Sequence, residues 1–212
     1  MKTNYLRKLE RSQFTLSSQL KEILIGLLLG DLSLEKNQAS VNVRMKFEQG
    51  LVHKEYLLHL FELFSNYSSM APKTINRAPD KRNGVIYSSI RFRTYSLPCF
   101  NELHDLFYPL GAKEVPLNIG ELLTPLSLAY WVSDDGSFCK RDRVVRLCTE
   151  GFSLKEVELL VGVLTHKFNL KCTINKAGKG ANIRISAKSL PILQALLAPH
   201  VPSMMLYKLG GL

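Results

Sequence analysis

Histidine and cysteine are scarce in this sequence: five His and four Cys are scattered over 212 residues. No C-x-x-C pair occurs, and Cys99, Cys139, Cys148 and Cys172 have no histidine partner at zinc-ligand spacing. A His- or Cys-based metal centre therefore finds no support, and the cysteines are expected to be reduced packing residues. Long apolar runs are missing too. The longest, Ile23 to Leu29, is far too short to span a bilayer, so no membrane partner is expected. No apolar h-region follows Met1, and secretion is not expected. Acidic residues are in the minority, 18 Asp and Glu against 28 Lys and Arg, for a net charge of +10. Such a surplus is solvated, neutralised or used. Its usual use is a polyanion, because basic side chains that meet phosphates release condensed counterions.

Apolar residues are plentiful, at 46% of the chain, which is enough for one large domain or two small ones. Met1 to Lys21 reads as a basic arm. Two later segments share a pattern: Ser18 to Asp31, and Leu123 to Gly136. Each opens with a helix cap (Ser17 or Ser18; Thr124, followed by Pro125 at the first helical position), continues as an apolar helix and ends on an aspartate. A hairpin pattern follows each helix. Next comes an amphipathic helix, His53 to Tyr67 and Ser153 to Phe168, with Lys54-Glu55 and Lys155-Glu156 in the first turn. Second hairpins follow around Asn83-Gly84 and Gly178-Lys179-Gly180. Each half closes on Ser-Leu-Pro and a short helix. The order α-β-β-α-β-β-α is read twice, as a duplication, with 1–118 as the first half and 119–212 as the second.

Gly26 and Gly30 are four residues apart, as are Ala129 and Ser133, so each helix carries a stripe of small residues at which two backbones can approach. Helices packed through those stripes would end side by side, with Asp31 and Asp135 projecting from the same end. A helix C-terminus carries partial negative charge, and two carboxylates there repel. A shared divalent cation relieves both, and hard oxygen ligands suit Mg²⁺. Metal so held can activate water for phosphodiester cleavage. Asp134 competes for the role, but the repeat aligns Gly30-Asp31 with Asp134-Asp135.

Val41 to Phe47 alternates, placing Asn42, Arg44 and Lys46 on one face; Tyr87 to Tyr95 does likewise with Arg91 and Arg93, and Asn182 and Arg184 oppose Ile183 and Ile185. Lys140, Arg141, Arg143 and Arg146 form a basic run whose phase is unclear. The hairpin tips also carry Lys or Arg: Lys36, Lys81 with Arg82, Arg141 with Arg143, and Lys179. Arg, Lys and Asn can read guanine and adenine edges, and basic tips can position a sheet on phosphates.

Leu24-Ile-Gly-Leu-Leu-Leu-Gly-Asp-Leu32 and Leu128-Ala-Tyr-Trp-Val-Ser-Asp-Asp-Gly136 resemble the two motifs of the single-chain LAGLIDADG homing endonucleases. The run from Leu123 resembles the branch containing the yeast mitochondrial omega-intron endonuclease. The resemblance covers nearly the whole chain. It implies an α+β fold, a pseudo-twofold pair of antiparallel sheets forming a DNA-binding saddle, with the motif helices at the interface. It implies a monomeric endonuclease that cleaves both strands of double-stranded DNA at a long asymmetric site. The last acidic residue of each motif, Asp31 and Asp135, would bind Mg²⁺; Mn²⁺ would substitute, and Ca²⁺ would support binding without cleavage. A basic residue near each scissile phosphate maps onto Lys113 and Lys208, each of which closes its half. Leu32 stands where many members have Gly, which alters the turn. Two other readings stay open: an intron RNA maturase, alone or as a second function, and a DNA-binding regulator without catalysis. An organelle gene, in mitochondrion or chloroplast, fits the branch.

Overall fold

Met45, Phe47 and Gln49 are buried and alternate with half-exposed Arg44, Lys46 and Glu48, the period of two that makes a strand with one face on a core. This strand belongs to a computed structural model that describes residues 6–36, 40–178 and 180–211. The first elements are α1 (Lys8–Ser12), α2 (Ser18–Leu29), β1 (Ser33–Glu35), β2 (Arg44–Gly50), α3 (Lys54–Phe64), β3 (Lys73–Asn76), β4 (Ser88–Arg93) and α4 (Asn101–Phe107). They are followed by α5 (Ile119–Leu122), α6 (Pro125–Asp135), β5 (Gly136–Cys139), β6 (Val144–Leu147), α7 (Leu154–Phe168), β7 (Cys172–Ala177), β8 (Gly180–Ile185) and α8 (Leu190–Leu197). The fold is α+β, and the order α-β-β-α-β-β-α occurs from α2 to α4 and again from α6 to α8. Two antiparallel four-stranded sheets have equivalent orders, β1-β2-β4-β3 and β5-β6-β8-β7. Among the described residues no helix is long and apolar enough to cross a membrane.

The chain divides into two compact units. One takes the described residues up to Leu20 together with Asp31–Leu106; the other takes Lys21–Gly30 together with the described residues from Phe107 onward. In the first unit, the inner sheet face presents Met45, Phe47, Ile90 and Phe92, and α3 buries Tyr56, Leu57, Leu60 and Phe64. Phe47 and Phe92 are cross-strand partners and stack at 4.4 Å, while Phe47 lies 5.1 Å from the Phe64 ring. Such ring pairs add about 0.5–1.5 kcal/mol beyond the area they bury. Ser17 caps α2 by accepting from the Leu20 amide at 3.2 Å.

In the second unit, Val145, Leu147, Ile183 and Ile185 cover one sheet face, and α7 buries Val157, Leu160 and Leu164. Helix α7 starts where the Ser153 hydroxyl accepts from Glu156 N and the Glu156 carboxylate returns to Ser153 N. It stops at Asn169, whose φ of 55° is the left-handed turn that asparagine tolerates. The Lys140–Arg143 segment is the turn of the β5–β6 hairpin, and Arg146 points outward from β6 with its cross-strand partner Arg184. Cys148 departs from the expectation of a packing residue: it follows the last inward residue of β6, Leu147, and is exposed.

Candidate active site and nucleic-acid interface

Three contacts within the second unit align the two apolar helices. At their starts, the Thr124 hydroxyl that caps α6 donates to Glu22 of α2. Midway, a side chain at Gly26 would put its Cβ 2.0 Å from the Ser127 carbonyl oxygen and 3.1 Å from Trp131 N. At their ends, a Cβ on Gly30 would lie 2.6 Å from Asp134 Cβ. Contacts in this order mean that the helices run parallel with backbones touching, and only glycine leaves room at Gly26. The nearest α6 atoms belong to Ser127, Trp131 and Asp134, a different row from Ala129 and Ser133. Those two are buried, and the Ser133 hydroxyl donates to the Ala129 carbonyl one turn back at 2.8 Å.

The residue after each of the final contacts is an aspartate. Asp31, in the first unit, is exposed, and its Oδ2 accepts from the side-chain amide of Gln49 at 3.0 Å. Gln49 belongs to the inner row of β2 and is only 8% exposed, so its amide is held in place. Asp135 is the last residue of α6 and half-buried; its backbone carbonyl accepts from Cys148 N at 3.1 Å. Gly136 follows because any Cβ there would fall 2.3 Å from the Val132 carbonyl oxygen.

Lys113 and Lys208 both lie on helix ends of the second unit. Lys113 Nζ donates to the Gly30 carbonyl at 2.7 Å. Lys208 is buried, and its Nζ donates to the carbonyls of Ser133 and Asp134. The last carbonyls of a helix have no partners inside it and carry the negative end of its dipole, so an ammonium there satisfies both needs. The lysines thus provide part of the charge compensation that carboxylates at two helix C-termini require.

On the first unit's sheet, the registers Ser33↔Lys46, Lys46↔Arg93, Glu48↔Arg91 and Lys73↔Arg91 place these side chains on one outward face. Arg44 and Lys46 share it but are paired, Arg44 with Glu35 at 2.8 Å and Lys46 with Glu48 at 2.9 Å. The Glu48 carboxyl is held below its ordinary range, chiefly by the hydrogen bond from Lys46 and also by that from Ser89. Asn42 precedes β2 rather than lying in it, and its Oδ1 accepts from Asn101 Nδ2, at the start of α4, at 3.2 Å. Lys81 and Arg82 are exposed in a turn, Arg82 pairing with Asp80.

On the second unit's outward face, Arg146 faces Arg184 across the strands and Asn182 faces Asn175. Lys140, Arg141 and Arg143 occupy the exposed turn beside them, with Arg141 on Asp142 at 2.9 Å. Lys179 lies outside the described residues. Glu35, Glu48 and Gln49 were not among the residues expected from sequence. The signal for the last two was an extension of the Val41–Phe47 alternation by two positions, which puts Glu48 on the basic row and a polar residue on the apolar row.

The sequence profile of the LAGLIDADG DNA endonuclease family matches residues 21–193. A cytochrome b mRNA maturase bI2 of Debaryomyces hansenii is 38% identical over 92% of this chain, and one of Saccharomyces cerevisiae is 32% identical over 92%. The chain spans 75% of the first relative and 48% of the second. A probable intron-encoded endonuclease of Wickerhamomyces canadensis is 31% identical, covering 92% of this chain and 85% of its own. The solved structure of the homing endonuclease I-WcaI bound to its DNA recognition sequence superposes with a TM-score of 0.86 at 30% identity, covering 92% of this chain and 88% of that one. I-DmoI in complex with DNA and Ca, at 15% identity and a TM-score of 0.54, shares the fold. The chain belongs to the LAGLIDADG DNA endonuclease family.

Proposed function

We propose that this protein is a homing endonuclease: a phosphodiester hydrolase that cuts both strands of double-stranded DNA at a long asymmetric site with divalent metal. The observation that carries the reading is the parallel pair α2 and α6, each followed or ended by an aspartate, with Lys113 and Lys208 on the terminal carbonyls. The donor chemistry fits Mg²⁺. Asp31 and Asp135 are hard oxygen ligands, and no group of three His, Cys, Asp or Glu forms an all-protein cage among the described residues. Mg²⁺ characteristically takes one or two carboxylates, keeps waters and accepts substrate phosphate oxygens. Bound there, it would activate water and stabilise the leaving oxygen.

In this reading Gln49 orients the Asp31 carboxylate. Lys113 and Lys208 bring cationic charge to the helix ends where phosphate would arrive. Arg44, Lys46, Arg91, Arg93, Arg146, Asn182 and Arg184 face base edges or phosphates, and the exposed turns carrying Lys81, Arg82, Lys140, Arg141 and Arg143 meet the backbone. Mn²⁺ substitutes for Mg²⁺, and Ca²⁺ supports binding without cleavage. One chain carries both aspartates, so a monomer suffices, with 1–118 and 119–212 as the two repeats. The test is incubation of purified protein and Mg²⁺ with a library of randomised duplex DNA, followed by sequencing of the cut ends. A defined consensus is expected for the wild type and none for Asp135→Asn. Full cleavage by Asp135→Asn would refute the role given to that residue.

The Debaryomyces and Saccharomyces relatives are named maturases, which favours a second reading in which the protein binds intron RNA and assists splicing, from a gene in an organelle. Splicing that depends on this protein and survives Asp31→Asn would establish that role beside cleavage.

A further inference from the structure

A sheet face that docks on DNA gains from Arg, Lys and Asn, whereas a carboxylate there repels phosphate and is useful only where it accepts from a cytosine amino group or holds a neighbouring basic side chain. Strands β5 to β8 contain no Asp or Glu, yet the first unit's face carries two, Glu35 and Glu48. Both are well engaged. Glu35 Oε2 accepts from Arg44 Nε at 2.9 Å and lies 3.5 Å from Arg93 Nε. Glu48 pairs with Lys46, accepts from the Ser89 hydroxyl at 2.8 Å, and lies 3.6 Å from Arg77. On the second unit the acidic partners come from outside the strands: Asp142 of the β5–β6 turn pairs closely with Arg141 of the same turn at 2.9 Å but lies 3.9 Å from Arg146 of β6, and Glu150 accepts from Asn182 at 3.4 Å.

Placing carboxylates against a polyanion costs binding energy, so they must return something in specificity. A free Arg or Lys loses rotamer freedom when it grips a base, whereas one already held by a carboxylate has lost it beforehand. A fixed side chain also cannot shift to accept a wrong base.

We infer that Glu35 and Glu48 are specificity-determining residues, which hold Arg44 and Lys46 in set poses so that the end of the DNA target read by the first unit is specified more strictly than the other. The inference rests on the endonuclease reading. It is tested with the same randomised duplex library in Mg²⁺, comparing wild type with the isosteric variants Glu35→Gln and Glu48→Gln, and with Arg146→Gln as the reference on the second unit. The expected wild-type consensus is sharper at one end. Each glutamine variant lowers base preference at that end on the order of tenfold, while the opposite end keeps its preference and Arg146→Gln flattens it instead. Unchanged profiles in both glutamine variants, or equal flattening at both ends, would overturn the inference while leaving the endonuclease intact. A wild type that selects no consensus would instead overturn the endonuclease reading.

Discussion

Lys113 Nζ donates to the Gly30 carbonyl at 2.7 Å, immediately before Asp31. Lys208 does the same for the carbonyls of Ser133 and Asp134, immediately before Asp135. Two lysines that close their halves of the sequence therefore cap the two helices that lead to the aspartates.

These caps should be measurable in stability. Lys208 is buried and serves two carbonyls, so Lys208→Met is expected to cost about 2 kcal/mol, in the range for hydrogen bonds to charged groups. Lys113 is half-buried and donates to the Gly30 carbonyl, so Lys113→Met should cost about 1 kcal/mol or more. Urea unfolding monitored by circular dichroism gives both values, and an indifferent Lys208→Met would remove the capping role.

The glycine contact is less forgiving. Gly26→Ala puts a methyl group where the Ser127 carbonyl already sits, and forcing the helices apart should cost about 3 kcal/mol or more. Gly162, in the interior of α7, has nothing within 4 Å of a built Cβ, so Gly162→Ala should stabilise by about 0.5–1 kcal/mol. Opposite signs for the two substitutions are the expected result of thermal unfolding.

Gln49→Leu keeps an apolar-compatible shape on the inner row of β2 but removes the hydrogen bond to Asp31. Loss of such an orienting partner typically lowers activity by about 10–100-fold. Single-turnover cleavage in saturating Mg²⁺ should show that loss with DNA affinity retained. A wild-type rate would mean that Asp31 needs no orientation from Gln49.

Acid should weaken the start of α7. Burial would raise the Glu156 carboxyl, but hydrogen bonds from the Ser153 hydroxyl and from the Val115 and Ser153 amides outweigh it and hold the group below its ordinary range. The unfolded chain, with Glu near about 4.3, then binds more protons than the folded one in that window. The contribution is present above the unfolded value and is lost as pH falls through the folded one. Melting temperature should drop from about pH 5 toward pH 3, and Glu156→Gln should show a shallower drop from a lower starting point.

The repeated element order was legible because hydrophobic period changes from 3.6 to 2 and back at turn residues such as Asn83-Gly84 and Gly178-Lys179-Gly180, twice over. The candidate site was legible in part. Gly26, Gly30, Asp31 and Asp135 declare themselves by spacing at equivalent places of a repeat. Gln49 did not, because a single polar residue on an apolar row has no pattern of its own. The strand expected over Val41–Phe47 begins only at Arg44, because the alternation in sequence extends beyond the point where the backbone leaves the sheet and Asn42 meets Asn101 of α4.

Sequence alone determined the duplication, the basic charge of the outward strand faces and the two aspartates that follow apolar helices. These depend on local period and composition, which any reading of the chain contains. Tertiary structure alone decided which row of α6 meets the glycines, that Lys113 and Lys208 turn onto helix carbonyls, and that Glu35 and Glu48 hold the basic face. Each joins residues far apart in the chain or on different strands, and the nearest acceptor for a charge is set by packing rather than by spacing.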